Sequence, residues 1–179
     1  MKIIDSYILT SETLFMIPEI DPNNNVCTMV QEGKKSFFVS KTPKRILEET
    51  MKYYGFTLEG AINGAKAVLG NYHMVPIVIS APLNMYWFPT QSPSSDHCIW
   101  ISLVHIEDIV QYSYLQSLVS FKTGMSIIIN KKAARLINKQ QQTAILKVRT
   151  EQRLAKKDSY FILHNKYSGV QRGENPLVE

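Results

Sequence analysis

Between Gly124 and Gly169 the sequence contains neither glycine nor proline. A breaker-free run of that length, rich in Ala, Leu, Lys, Gln and Arg, favours a long helix. Asn130 stands where an N-cap belongs, so the expected helix covers residues 131–157. At about 100° per residue, Ala133, Leu136, Ile137, Ala144, Val148 and Ala155 fall on one side. Lys131, Lys132, Arg135, Lys139, Arg149, Arg153, Lys156 and Lys157 gather on the other, with Lys147 apart from both groups. The expectation is that the first face packs and the second is positive. At 1.5 Å per residue a straight ridge of this kind extends roughly 40 Å, enough to follow a nucleic-acid backbone past several phosphates. A solvated surface helix is the alternative reading of the same charges.

What precedes the helix is written mostly as strands. From Val75 onward, short runs rich in β-branched and aromatic residues (PIVIS, MYWF, IWISLVHI, SLVSF, SIII) are separated by turn residues such as Pro82-Leu83-Asn84 and Thr123-Gly124. Residues 121–125 read as a hairpin loop. Nearer the N-terminus, residues 7–17 and 26–39 read as strands around the polar cluster DPNNN, with another turn at Gly33. Thr42 and Pro43 open a short amphipathic helix in which Ile46, Leu47, Met51 and Tyr54 recur at helical spacing before Gly55. Residues 58–69 form a second helical piece, with Gly60 and Gly64 four apart. The sequence therefore predicts an α+β protein. It combines an antiparallel β-sheet, a short helical pair in the first third and a long basic amphipathic helix near the C-terminus.

At 179 residues and 45% hydrophobic, the chain suits one globular domain with its own core. Its net charge of +5 is unevenly spread, because residues 111–179 hold 12 of the 20 Lys and Arg but only 4 of the 15 Asp and Glu. Such a block is a footprint for a polyanion, either nucleic acid or an anionic membrane surface. Asp5 interrupts the apolar start before it makes a signal-peptide core, and the apolar run at residues 74–83 is broken by Pro76 and Pro82. A soluble intracellular protein is expected, with Cys27 and Cys98 as reduced thiols.

Metal-capable atoms occur at Cys27, His73, His97, Cys98 and His105, yet none has a usual ligand spacing: C-x-x-C, H-x-x-x-H and a zinc-deaminase pattern are all absent. In a strand, Cys98, Trp100 and Ser102 share one face and Ile99, Ile101 and Leu103 the other, which describes a buried strand better than a zinc site. A Cys98–His105 nucleophile pair fails on the same geometry, since seven extended residues separate the two by roughly 23 Å. Glu107 and Asp108 read as solvated. Phosphate-binding glycine loops and nucleophile elbows are absent as well, so no catalytic residue, metal or cofactor is expected.

The blocks YYGFTLEGAINGAKAVLG, HMVPIVIS, FPTQSPSSDHCIWISLVHI, VSFKTG and TAILKVRTEQR, in this order, resemble the competence transcription factor family, ComK. FPT followed by CxWISxVH is the most specific piece, and the resemblance covers roughly residues 7–167. It implies a single DNA-binding domain over residues 1–167, with residues 168–179 (SGVQRGENPLVE) as a polar tail where the family continues differently. It also implies a cytoplasmic, non-enzymatic activator of DNA-uptake genes, with RNA polymerase as an indirect partner. Such a protein acts as dimers or paired dimers (tetramers) on double-stranded A/T-rich DNA, largely through the minor groove. His73, Phe88, Pro89, Thr90, Cys98, Trp100, Ile101, Ser102 and His105 match the family pattern and read as scaffold. Lys66, Thr143, Ala144 and Arg153 lie in matching blocks, the basic two as phosphate contacts. Ala61 and Ile62 stand where family members can carry a basic pair. Tyr160, Phe161, Ile162, Leu163 and Lys166 resemble the segment through which an adaptor delivers the family to a Clp protease; an edge strand is the other reading. A basic interaction protein that binds an acidic partner or membrane surface is the alternative function, and a zinc hydrolase a third.

Overall fold

A computed structural model describes residues 3–21, 24–95 and 97–155. In chain order the elements are β1 (Ile3–Ile4), β2 (Thr13–Ile20), β3 (Val26–Glu32), β4 (Lys35–Val39), α1 (Pro43–Tyr53) and α2 (Leu58–Leu69). They continue with β5 (Ile77–Ser80), β6 (Met85–Pro89), β7 (Trp100–Ser102), β8 (Ile106–Ser113), β9 (Gln116–Phe121), β10 (Ser126–Ile129) and α3 (Ala133–Ala155). This is the α+β arrangement the sequence predicts, but its strands form two sheets rather than one. Seven strands run in the order β1-β4-β3-β2-β7-β6-β5, antiparallel throughout except for β1 beside β4; β10-β9-β8 make a separate antiparallel meander.

The local signals act as their chemistry dictates. Thr42 accepts a bond from the Arg45 N–H and Pro43 occupies the first turn of α1. Thr57 caps α2 by accepting from the Gly60 N–H at 3.0 Å, and a Cβ on Gly60 would sit only 3.0 Å from that hydroxyl. Gly33 turns β3 into β4 with φ +52.

Alternation along the seven-stranded sheet divides the interior in two. Met16, Met85, Trp87, Cys98 and Trp100 point to a core closed by Ile46, Leu47, Met51 and Leu58 of α1 and α2. Phe15, Phe88 and Ile101 face a second core shared with Ile106, Ile109, Val119 and Phe121 of the meander and Ala133 and Leu136 of α3. The Phe15 and Phe121 rings meet across it at 5.0 Å. A small third cluster, Ala65, Val75 and Leu146, joins α2 to α3.

Four expectations are corrected. The strand expected over residues 7–17 begins at Thr13, not near Tyr7. Tyr7 instead donates its hydroxyl to Glu32 at 2.7 Å and joins Thr10 and Thr13 in a polar knot. The run IWISLVHI is not one strand: β7 ends at Ser102, a 3-10 turn spans Leu103–His105, and β8 enters the other sheet. Helix α3 begins at Ala133. Its first N–H is met by the Gln111 side chain at 2.9 Å, while Asn130 accepts from Gln116 instead of capping. Finally, the packed face of α3 is rotated from the expected one. Ala133, Leu136, Thr143 and Leu146 are buried, whereas Ala144, Val148 and Ala155 are exposed.

Candidate nucleic-acid interface

Helix α3 and the two residues before it carry Lys131, Lys132, Arg135, Lys139, Arg149 and Arg153 of the cations that the sequence singles out, and the structure divides them by what they touch. Lys139 is half-buried. Its ammonium donates to the carbonyls of His73 at 2.9 Å and Met74 at 2.8 Å and to Gln142 at 3.3 Å, and burial holds its pKa below the ordinary lysine value. Arg149 donates to the Val68 carbonyl at 2.8 Å, in the last turn of α2, where a cation complements the negative end of the helix dipole. Lys147 lies toward the packed side: it bonds Asn84 and Glu151 and stands 5.1 Å over the Tyr86 ring. Burial, and then the Glu151 carboxylate, push the Tyr86 hydroxyl up to about 12. Lys132 stacks over Tyr114 at 4.7 Å.

Arg135 and Arg153 are exposed on α3 and Lys66 is exposed on α2, none with an ion-pair partner among the described residues. Lys131 is partly buried and lines a groove of about 520 Å³ with Thr90, Gln91, Arg135 and Lys139. Arg153 borders another groove between α2 and α3, walled by Ala61, Gly64, Val68, Leu146 and Leu154. The cations at the start of α1 behave differently, since Lys41, just before the helix, and Lys44 and Arg45 in its first turn are all paired with Glu48 or Glu49. Lys52 of α1 is exposed without an ion-pair partner among the described residues, as are Lys66, Arg135 and Arg153, whereas Lys147 of α3 is paired with Glu151. Lys156 and Lys157, and the segment Tyr160, Phe161, Ile162, Leu163 and Lys166, lie outside the described residues.

The residues matching the family pattern hold the scaffold together. Thr90 accepts from the Ile99 N–H at 3.2 Å, and its own N–H donates to the Ile99 carbonyl at 2.9 Å, which closes the loop between β6 and β7. Cys98 is buried with its thiol 3.4 Å from the Gln91 carbonyl, and burial raises its pKa to about 11. The thiol of Cys27 is raised too, first by burial and then by Asp21 and Glu19. Such thiols remain protonated and unreactive at neutral pH. His105 is 2.7 Å from the Ser11 carbonyl, so Cys98 and His105 face different partners for a reason other than strand length. Among the described residues no three His, Cys, Asp or Glu are placed to hold a metal ion. Nor is any helix among them long and apolar enough to cross a membrane. Ile62, at the family's basic-pair position, is partly buried against the core.

One set of surface residues went unread in the sequence: Tyr112, Tyr114 and Leu115, at the β8–β9 turn. Their signal is the segment QYSYLQ, a two-residue turn without glycine or asparagine between runs of β character.

Two cores, a sheet-borne scaffold and exposed cations on α2 and α3 describe an α+β protein. A family model described as ComK protein matches residues 4–155, and the chain belongs to that family. A protein of Bacillus subtilis (strain 168) named competence transcription factor is 24% identical over 151 residues, 84% of this chain and 78% of that protein. No solved structure matches the chain.

Proposed function

We propose that this chain is a DNA-binding transcription activator of competence genes. It engages A/T-rich duplex as dimers or paired dimers, largely through the minor groove, and RNA polymerase is an indirect partner. The observation that carries the reading is the set of exposed cations on α2 and α3: Lys66, Arg135 and Arg153 are exposed without ion-pair partners among the described residues, whereas Lys41, Lys44 and Arg45 are held by Glu48 or Glu49. Arg135 and Arg153 lie roughly 27 Å apart along α3, a little less than one turn of duplex, so both reach one face of DNA. Lys131, Lys132, Lys139 and Arg149 add potential to the same surface while holding bonds of their own, and Lys156 and Lys157 continue the basic run. Phosphate contacts supply sequence-tolerant affinity through counterion release. An arginine in a narrow A-tract minor groove gains further from its stronger negative potential.

The test replaces Lys66, Arg135 and Arg153 singly with alanine and measures binding to A/T-rich and G/C-rich duplexes across a salt series. Each variant folds as the parent does and loses about 1–3 kcal/mol of affinity. A phosphate contact lowers the salt slope by about one unit on both duplexes, and a groove arginine costs more on the A/T-rich one. Variants that bind every duplex like the parent but lose anionic vesicles would overturn the reading in favour of a membrane-facing protein.

A further inference from the structure

The turn between β8 and β9 exposes two large side chains at its tip. Tyr114 is 81% and Leu115 57% exposed, and Tyr112 on the approaching strand is exposed as well. Neither tip residue has positive φ, so the turn lacks the mirror-image geometry that two-residue hairpins favour; a register shift between Gln111 and Ser113 accommodates it. Among the described residues neither tip side chain belongs to a core cluster, and Tyr114 meets Lys132 alone among the ring contacts.

The base of this tip is braced. Gln111 donates to the Gln116 carbonyl at 2.9 Å and, through its other side-chain atom, accepts from the first N–H of α3. The Ser113 hydroxyl donates to Gln116 at 3.0 Å, and Gln116 donates to Asn130 at 2.8 Å. Beside it is a cation, since Lys132 stands over the Tyr114 ring. The acidic pair Glu107 and Asp108 lies toward the opposite end of β8, roughly 20 Å along the strand.

We propose that the Tyr114–Leu115 tip is a wedge that enters the duplex at a base step, with Leu115 parting the stack and Lys132 holding an adjacent phosphate. This rests on the DNA-binding reading and deepens it. Three properties of the tip are those a wedge needs: an exposed apolar end, a stiff base and flanking positive charge. Inserted apolar side chains unstack a step and kink the duplex, and pyrimidine–purine steps such as TpA yield most easily. A wedge therefore prefers A/T-rich sites with TpA steps over uninterrupted A-tracts of equal A/T content, a discrimination that phosphate contacts do not make.

The experiment uses the full chain with two duplexes, one with a central TpA step and one an A-tract, end-labelled for bend measurement by energy transfer and carrying 2-aminopurine beside the step. The parent protein is expected to bend the TpA duplex, brighten the 2-aminopurine and bind that duplex more tightly. Leu115→Ala loses the bend and the brightening and binds the TpA duplex about tenfold more weakly, with A-tract affinity unchanged; Leu115→Met retains all three. Arg153→Ala weakens both duplexes and leaves the discrimination intact, which separates the wedge from the cationic surface. Bending and brightening that survive Leu115→Ala overturn the wedge alone, as does a parent that binds without unstacking. A variant that loses self-association while still bending DNA assigns the tip to a protein contact and overturns it equally. A parent that binds neither duplex overturns both this and the reading beneath it.

Discussion

Replacing Lys139 with methionine separates two roles that a count of basic residues merges. The ammonium holds the carbonyls of His73 and Met74, and Met74 adopts φ 53, a left-handed conformation that side-chain-bearing residues rarely adopt. Each charge-assisted bond of this kind is worth about 1.5–3 kcal/mol, and the half-exposed site places both near the lower end. Their sum is about 3 kcal/mol, and removing the desolvation cost of the ammonium returns about 1 of that. The methionine keeps the apolar stem, so little packing is lost. The expected net destabilisation is about 2 kcal/mol, or roughly 4–8 °C in Tm for a chain of this size. Urea unfolding measures it, and the salt dependence of duplex binding measures the other role. A clip predicts lower stability with an unchanged salt slope. A K139M protein of parental stability whose slope falls by about one unit would refute the reasoning and make Lys139 a phosphate contact, as the sequence alone expects.

Gln111→Ala removes the acceptor for the first N–H of α3 and the brace across the β8–β9 turn, and should cost about 1 kcal/mol by urea unfolding. Glu49 is held below its ordinary value of 4.5, first by the Lys41 bond and further by the Lys41 and Arg45 charges. A depressed carboxyl pKa contributes stability above the unfolded value and loses it as pH falls through the folded one. Unfolding curves for Glu49→Gln and parent protein should therefore differ at neutral pH and converge below pH 4.5.

Those elements whose signal is local were legible in the sequence. Thr42-Pro43, the Gly33 turn and the hydrophobic spacing of α1 specify their structures with contacts inside a few residues. The break in IWISLVHI was not, because nothing local marks it. Leu103 and Val104 are good strand residues, and the chain leaves one sheet for the other where His105 meets the Ser11 carbonyl, far away in sequence. The cap of α3 was hidden for a similar reason, since its acceptor comes from Gln111 on another element. The packed face was misjudged because apolarity alone was counted. Thr143 is fully buried by satisfying its hydroxyl on the Lys139 carbonyl at 2.6 Å, while Ile145 and Val148 face outward. Among the candidate site residues, charge was readable but engagement was not: sequence cannot distinguish Arg153, which is exposed, from Arg149, which is tied to α2.

That distinction shapes how the surface works. Arg149 places a cation on the final turn of α2, and Lys139 fastens the segment that leads from α2 into β5, so α2 and the segment after it are tied to α3 at two points by cations of α3. Between those ties, Ala65, Val75 and Leu146 make only a small apolar seam. The Arg149 bond and this seam together set α2 against α3, and under the proposed function a phosphate drawing Arg149 outward would loosen the C-terminal end of α2 as it bound. Lys66 lies in that same turn. Under the proposed function, phosphate binding at Lys66 and the hold of Arg149 on Val68 would therefore be coupled through one helix end, without a contact between their side chains.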